Sequence, residues 1–391
     1  MTEQINTPEL RFPEFKREWK EYQFQTHLSK IETGTNKLGS EDYSGLPLLK
    51  MGNIQRGNFS FNKLEKLKKD EVVNNEHLIQ NKDFLFNTRN TMELVGKSAT
   101  WRGESNRFVF NSNIARLTLE NIDTVFFNYL YNTPKLIHKV KSLAVGTTSV
   151  AAIYPRDLKK LKYFIPIFDE QLKIGEFFSK LDRQIELEEE KLELLEQQKR
   201  GYMQKIFSQQ LKFKDENGND YPDWEETTLK NITNYISSKK SSNQYNESNN
   251  SKGYPVYDAI QEIGKDLQYD MEEPYISILK DGAGAGRLNL RAGKSSVIGT
   301  MGYIQANNVY IQFLYYRMKL LNFRKFIIGS TIPHLYYKDY SKEKILIPTS
   351  NDEQKKIGHF ILNIDKLIDN KTLKLDYLKQ RKQGLLQRMF I

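Results

Sequence analysis

Between Asp169 and Phe207, apolar side chains recur at alternating steps of four and three residues: Ile174, Phe178, Leu181, Ile185, Leu192, Leu195, Tyr202 and Ile206. Glu188 and Lys199 fill the two remaining places of the pattern. Such spacing lays its members along one stripe of a helix, and the stripe requires a second helix to cover it. Ile357, Ile361, Ile364, Ile368, Leu375, Leu378, Leu385 and Met389 repeat the stripe near the C-terminus, with Lys371 and Lys382 at the equivalent polar places. Each helix predicts a rod of about 57 Å at 1.5 Å per residue. Pro166 and Pro348 precede the helices, and Asp169 and Asn351 or Asp352 are suited to cap them. Gly201 and Gly384 recur inside both, which predicts a kink or the close approach of another element.

The stripe repeats because the sequence does. Glu170-Gln171-Leu172-Lys173-Ile174-Gly175-Glu176-Phe177 returns as Glu353-Gln354-Lys355-Lys356-Ile357-Gly358-His359-Phe360, and the offset of 183 residues continues without a gap to the last residue. Gly146-Thr147-Thr148-Ser149 ahead of Tyr154 matches Gly329-Ser330-Thr331-Ile332 ahead of Tyr337 at that offset. A duplicated chain binds something with two similar parts. Asp215 to Pro222 is dense in turn formers and reads as a linker, after which Trp224-Glu225-Glu226 restarts the chain as Trp19-Lys20-Glu21 began it. Two blocks remain, roughly 20–160 and 224–345, and neither carries a helical pattern. They show short β-like runs: Phe84-Leu85-Phe86, Phe108-Val109-Phe110, Ile114 to Leu119, and Ile276 to Leu279. The fold class expected is α+β, with two mixed globular domains joined by two long helices packed as an antiparallel coiled coil in a pseudo-twofold internal repeat. Glu188 and Lys371 are expected near the middle of that pair, where opposite charges would fix its register. Ser237 to Lys252 is polar and low in complexity, a surface loop that could also track a phosphate backbone.

Composition narrows the function. No stretch approaches the ~18 apolar residues of a membrane span, and the polar start does not resemble a signal peptide, so the chain is expected to be cytoplasmic. Its 391 residues include no cysteine, which excludes disulfides and thiolate metal sites; the five histidines (His27, His77, His138, His334, His359) have no ligand spacing. No metal site is expected. A net charge of +10 favours a polyanionic partner without naming one.

Two nucleotide-like motifs fail on inspection. Asp281-Gly282-Ala283-Gly284-Ala285-Gly286 lacks dinucleotide-loop spacing and leads into an alternating, strand-like run; Ala292-Gly293-Lys294-Ser295 lacks the first glycine of a phosphate loop, Leu288 standing in its place. There is no Asn-Pro-Pro-Tyr or Asp-Pro-Pro-Tyr run for amine methylation, no nuclease-type acidic pair with lysine, no Gly-x-Ser-x-Gly and no His-Glu-x-x-His. The chain reads as non-catalytic. Its polar loops carry Asn87, Thr88, Arg89, Lys97 and Arg102 in the first block and Lys280, Arg287, Asn289, Arg291 and Lys294 in the second, residue types that pair with base edges and phosphates. Arg89 and Arg287 are expected to read bases, Lys97 and Lys294 to meet phosphate.

With the motif in view, a proline followed after three or four intervening residues by Glu-Gln-x-x-Ile and then by an aspartate on the same helix, and all of it occurring twice, the chain resembles the specificity subunits of type I restriction-modification enzymes. Pro166 to Asp182 and Pro348 to Asp365 carry the resemblance, which spans nearly the whole chain. It departs where Leu181 becomes Ile364 and where Glu186 to Glu190 adds an acidic run to the first helix alone. The resemblance implies target recognition domains at 1–164 and 211–346 and conserved spacer helices at 165–210 and 347–391. It implies that each domain reads one half of a split double-stranded DNA target and that two modification subunits dock on the scaffold with restriction subunits beside them. S-adenosylmethionine, ATP and Mg would then sit on those partners and none on this chain. A symmetric coiled-coil adaptor between proteins is the alternative, and a self-sufficient DNA-modifying enzyme a third.

Overall fold

The computed structural model describes residues 6–245 and 252–391, so residues 246–251 of the polar tract lie outside the described residues. Two compact units share the chain: 1–188 with 374–391, and 189–373. The long helices, Phe168–Phe207 and Asn351–Met389, are uninterrupted, and each contributes one half to each unit.

Within the first unit, a four-stranded antiparallel sheet runs in the order Leu28–Thr33, Ile114–Leu119, Phe84–Asn87, Ser98–Thr100. The second unit orders Thr233–Ser237, Met301–Ala306, Tyr275–Leu279 and Leu288–Arg291 in the same way. Both add a three-stranded side sheet with one parallel pair, Pro47–Leu49 on Val109–Phe110 in one and Tyr254–Tyr257 on Ser296–Val297 in the other. Both also close with a two-stranded ribbon. Lys20–Gln23 pairs with Lys162–Ile165, and Glu225–Thr228 with Lys344–Ile347, so the recurring tryptophans do mark equivalent starts. The cores are aromatic: Trp19, Phe24, Phe84, Phe126 and Phe127 are fully buried in the first unit, Phe313 and Tyr316 in the second.

The blocks are not free of helix. Thr124–Tyr131 and Pro134–Lys141 pack in the first unit and Ile311–Lys319 in the second. Thr124–Tyr131 buries its last six residues, and an apolar helix covered on nearly all sides shows no 3.6-residue alternation to read. Its start was marked all the same, since the Asp123 carboxylate accepts from the Phe126 amide at 2.7 Å.

Each unit pairs its two helix halves antiparallel. In the first, Asp182 meets Lys382 at 2.5 Å and Glu188 meets Lys374 at 2.8 Å; in the second, Lys199 meets Asp365. Lys199 and Lys382, the lysines that interrupt the apolar stripe, are thus the seam's own ion-pair donors. A Lys–Asp pair recurs across the seam in both units, and in the first unit Glu188 also takes Lys374. Ile174, Phe178, Leu181, Ile185, Ile357, Ile361, Leu375 and Leu378 are buried, while Leu192, Leu195, Ile364 and Ile368 are half-buried. At the end of the first helix the stripe shifts by one: Met203 is buried and Tyr202 lies exposed, edge-on against Phe360. A straight helix of 3.6 residues per turn drifts about 20° per heptad, which accounts for the slip.

The helix starts also differ from expectation. Asp169 lies inside the first turn, where its charge suits the helix dipole, and Ser350, not Asn351, caps the second helix by accepting from the Glu353 amide at 3.4 Å. Beside Gly201 and Gly384 there is open space, so neither accommodates another element. The glycines that do are Gly175 and Gly358. A methyl group on Gly175 would stand 3.2 Å from the Phe126 amide nitrogen, and one on Gly358 3.0 Å from that of Phe313.

The repeated motif explains itself as a clasp. Gln171 accepts from the Asp123 amide at 3.0 Å and donates to the Pro166 carbonyl at 2.9 Å; Gln354 does the same with Tyr310 at 2.7 Å and Pro348 at 2.8 Å. Glu170 takes a two-pronged bond from Arg11 at 2.7 and 2.6 Å and faces the Trp19 indole. The Glu353 carboxylate receives the Trp224 indole at 3.1 Å, and among the described residues its second oxygen is buried without a hydrogen-bond partner. The motif aspartates accept from buried tyrosines, Asp182 from Tyr129 at 2.6 Å and Asp365 from Tyr316 at 2.7 Å. Burial and those carboxylates push both phenols well above the ordinary tyrosine range. The clasp fixes a helix to its domain.

Candidate nucleic-acid interface

In each unit the central strand of the main sheet ends in a cluster of exposed loops. In the first unit the chain leaves Phe84–Asn87, pairs Arg89–Asn90 with Ala151–Ala152, and returns through Thr91–Lys97 to Ser98–Thr100. Ala151–Ala152 is one arm of a hairpin whose tip, Gly146-Thr147-Thr148-Ser149, is exposed. Gly146 has φ 138°, and a Cβ there would strike the Val150 carbonyl oxygen at 2.2 Å, so glycine is required for the turn. Met92 ties the returning loop to that tip through the Thr148 carbonyl at 3.0 Å.

The second unit builds the same edge with other residues. Its hairpin joins Ile327–Ile328 to His334–Leu335 around Gly329 (φ 91°), Ser330 and Thr331. The tip is one residue shorter, so the offset is 182 across the hairpin and Tyr154 matches Tyr336 rather than Tyr337. The bonds that fix this are Ile153 amide to Thr88 carbonyl (3.0 Å) and Leu335 amide to Lys280 carbonyl (2.8 Å). Asp281 therefore stands where Arg89 stands. Gly282, Gly284 and Gly286 all have positive φ, 95°, 91° and 92°, so the glycine run is a left-handed turn of the returning loop.

The sequence candidates fall into distinct environments. Arg89 and Arg287 are exposed, and neither guanidinium has an ion-pair partner among the described residues. Lys97 is half-buried and donates to the Gln55 amide oxygen at 2.7 Å; burial and the nearby Arg56 cation hold it below the ordinary lysine range. Thr88 donates to the Asn113 carbonyl at 3.2 Å beside Arg89. Asn87 is fully buried and bonds the Met51 carbonyl at 3.0 Å. Arg102 lies away from the cluster, bonded to the Tyr129 hydroxyl at 2.8 Å and 3.8 Å from Asp182. In the second unit Lys280 is paired to Asp281 at 2.7 Å and Asn289 bonds the Ala259 carbonyl at 3.1 Å. Arg291 lies 4.1 Å over the Tyr257 ring and donates to the Asp258 carbonyl at 2.9 Å, while Lys294 sits in a separate turn 3.7 Å from Glu272. The loop edges thus gather Thr88, Arg89 and Lys97 in one unit and Lys280 and Arg287 in the other.

Sequence reasoning passed over members of both edges. Thr147, Thr148, Ser149, Ser330 and Thr331 present exposed hydroxyls, and the recurrence of their glycine was the available signal. Asp281 and His334 bond at 2.8 Å, with no mark in the sequence to bring them together. Burial favours the neutral acid of Asp281, but the bonds from Lys280 and His334 outweigh it and hold the carboxyl below its ordinary value.

The model of the type I restriction modification DNA specificity domain matches residues 21–197 and again residues 221–380. The chain belongs to that family. A putative type I restriction enzyme MjaX specificity subunit from Methanocaldococcus jannaschii is 23% identical to this specificity subunit over 97% of the chain and 95% of its own length. A second protein of that organism, the type I restriction enzyme MjaVIII specificity subunit, is 26% identical over 47% of this chain and 46% of itself. The crystal structure of the type I restriction-modification system S subunit from M. genitalium shares the fold, with a TM-score of 0.69 at 19% identity, covering 98% of this chain and 99% of that one. Membership makes this a DNA-recognition chain whose reactions belong to other subunits, and the adaptor alternative is not favoured. Among the described residues no cluster of histidine, aspartate and glutamate is placed to hold a metal, and no helix is long and apolar enough to cross a membrane.

Proposed function

We propose that the two exposed loop edges are the DNA-reading surfaces of this specificity subunit, each unit reading one half of a bipartite duplex target. The domains are 1–164 and 211–346, and the helices of 165–210 and 347–391 set the spacing of the half-sites and dock two modification subunits. Those subunits bring S-adenosylmethionine for adenine methylation, and restriction subunits bring ATP and Mg. The observation that carries the reading is that strand, returning loop and glycine hairpin recur in both units with different side chains at the edge. A scaffold repeated while its rim differs suits a reader of two unlike half-sites.

Adenine methylation mapped across the source genome, with and without this gene, tests it. The expected result is a split motif, two short specific halves around an unspecified gap, that disappears with the gene. An unchanged methylation pattern, or duplex binding by the chain that does not respond to salt, would refute the reading.

A further inference from the structure

The candidate cations, on the loop edges and off them, are of two kinds. Lys280 at the edge, and Lys294 and Arg102 away from it, have carboxylates within 4 Å. Lys97, Arg56 and Arg287 have none among the described residues. Lys97 and Arg287 also occupy one backbone position in two settings. In the first unit the Asn87 amide donates to the Lys97 carbonyl at 2.8 Å, and the Gly96 amide donates back to the Asn87 carbonyl at 3.1 Å. In the second the Leu279 amide donates to the Arg287 carbonyl at 3.0 Å, and the Gly286 amide to Leu279 at 2.8 Å. Gly96 and Gly286 share positive φ, 74° and 92°, and neither has room for a side chain, with Val140 at 2.9 Å and Phe323 at 2.8 Å. The same tight turn delivers a cation to the same place of each unit.

We propose that Lys97 with Arg56, and Arg287 at the matching position of the second unit, each grip one backbone phosphate of the DNA, leaving base reading to the loops around them. The proposal rests on the DNA-reading surface described above and assigns Arg287, expected from sequence to read a base, to the backbone instead. Lys97 is held by a neutral amide oxygen on Gln55, and Arg56, the next residue, by the Glu93 carbonyl at 3.3 Å. Ammonium and guanidinium are therefore held near each other by neutral acceptors, with no carboxylate within 4 Å of either among the described residues and Glu93 acting on Lys97 only from farther off. Two like charges so placed repel, and a shared anion relieves both. Burial first and the Arg56 cation second hold Lys97 below the ordinary lysine range, with Glu93 opposing them in part. For Arg287 alone, an exposed arginine is ordinarily just solvated. Its recurrence at the turn that holds Lys97 argues for the phosphate.

Anisotropy titrations of the full chain against a labelled target duplex between 50 and 200 mM salt test this. Each phosphate contact contributes a slope of roughly 0.9 in log K against log salt, about a 3.5-fold change across that range. Arg56→Gln and Lys97→Gln should each flatten the slope by about 0.9, and the double variant by no more than either, because one phosphate is shared. Arg287→Gln should flatten it by a further 0.9 or so, additively, with base preference intact; Lys97→Arg should keep the wild-type slope. In a duplex series with single methylphosphonates, one position should erase the difference between wild type and Lys97→Gln. Wild-type slopes in all the glutamine variants, or loss of preference at one base position in Arg287→Gln, would overturn the assignment. A wild-type chain that binds duplex without salt dependence would instead sink the DNA-reading surface on which it rests.

Discussion

The same substitution in the two copies of the clasp should act with opposite sign. Glu170 is buried and bonded by both prongs of Arg11, whose side chain is 13% exposed. Glu170→Gln removes one partner of a nearly buried pair and strands the guanidinium, a loss of about 3 kcal/mol. Glu353 has only Trp224, an unpartnered oxygen, and the exposed Lys212 nearby, so burial holds its carboxyl above the ordinary range. A carboxyl raised in the folded state costs no stability below its unfolded value; stability is lost as pH rises through the folded value, because the unfolded chain then gives up the proton more readily. Glu353→Gln keeps the acceptor for the indole and removes the buried charge, so it should stabilise the second unit by about 1 kcal/mol at pH 7. The gain should vanish toward pH 4. Lys212→Arg, which copies Arg11, should stabilise the wild type and remove the pH dependence. Native-state hydrogen exchange reads each unit separately, through the ribbons Lys20–Gln23 and Glu225–Thr228. Glu353→Gln that destabilises at pH 7, or a gain independent of pH, would refute the reasoning.

Gly175→Ala and Gly358→Ala should each cost about 1–2 kcal/mol by pressing a methyl group on a backbone nitrogen, whereas Gly201→Ala and Gly384→Ala, facing open space, should gain up to about 1 kcal/mol in thermal unfolding. Replacing residues 224 to 345 with the corresponding block of another such subunit should change one half of the methylated motif and leave the other; simultaneous change in both would contradict independent readers. Arg89→Ala should relax preference at a single base position by about 1–3 kcal/mol in a panel of base-substituted duplexes, and unchanged discrimination would move base reading to other loops.

What could be read from the sequence was whatever repeats along it. The long helices follow from apolar side chains at fixed intervals, and the duplication shows which polar interruptions were kept: Lys199 and Lys382 persist because each meets an aspartate of the facing helix. The helix Thr124–Tyr131 was invisible for the opposite reason, since a helix buried on nearly all sides has no polar face to set its period, while Pro134–Lys141, with only Leu136 and Val140 buried, is too short to repeat one. Site roles were harder still. Whether a lysine or arginine is available to DNA depends on whether folding sets a carboxylate beside it. Asp182 reaches Arg102 from elsewhere in the chain, and among the described residues no carboxylate pairs with Arg89. Sequence alone supplies the cations but not their neighbours.

The placement of the clasp gives a physical reason for separating scaffold from reader. Glutamate, glutamine and aspartate of the motif spend their hydrogen bonds on Trp19 or Trp224, on the amide of Asp123 or Tyr310, and on Tyr129 or Tyr316, all on the side of each domain that holds the helix. The loop edges take their geometry from other sources: a glycine turn, a hairpin, and the end of the central strand. Side chains at the edge can change without touching the clasp, and Arg89 against Asp281 is such a change, one backbone position carrying opposite charge in the two units. A guanidinium suits the acceptor face of guanine, while a carboxylate accepts from the exocyclic amine of cytosine or adenine. The two halves of the target should therefore differ in the chemistry presented at that position even though the backbone beneath is the same.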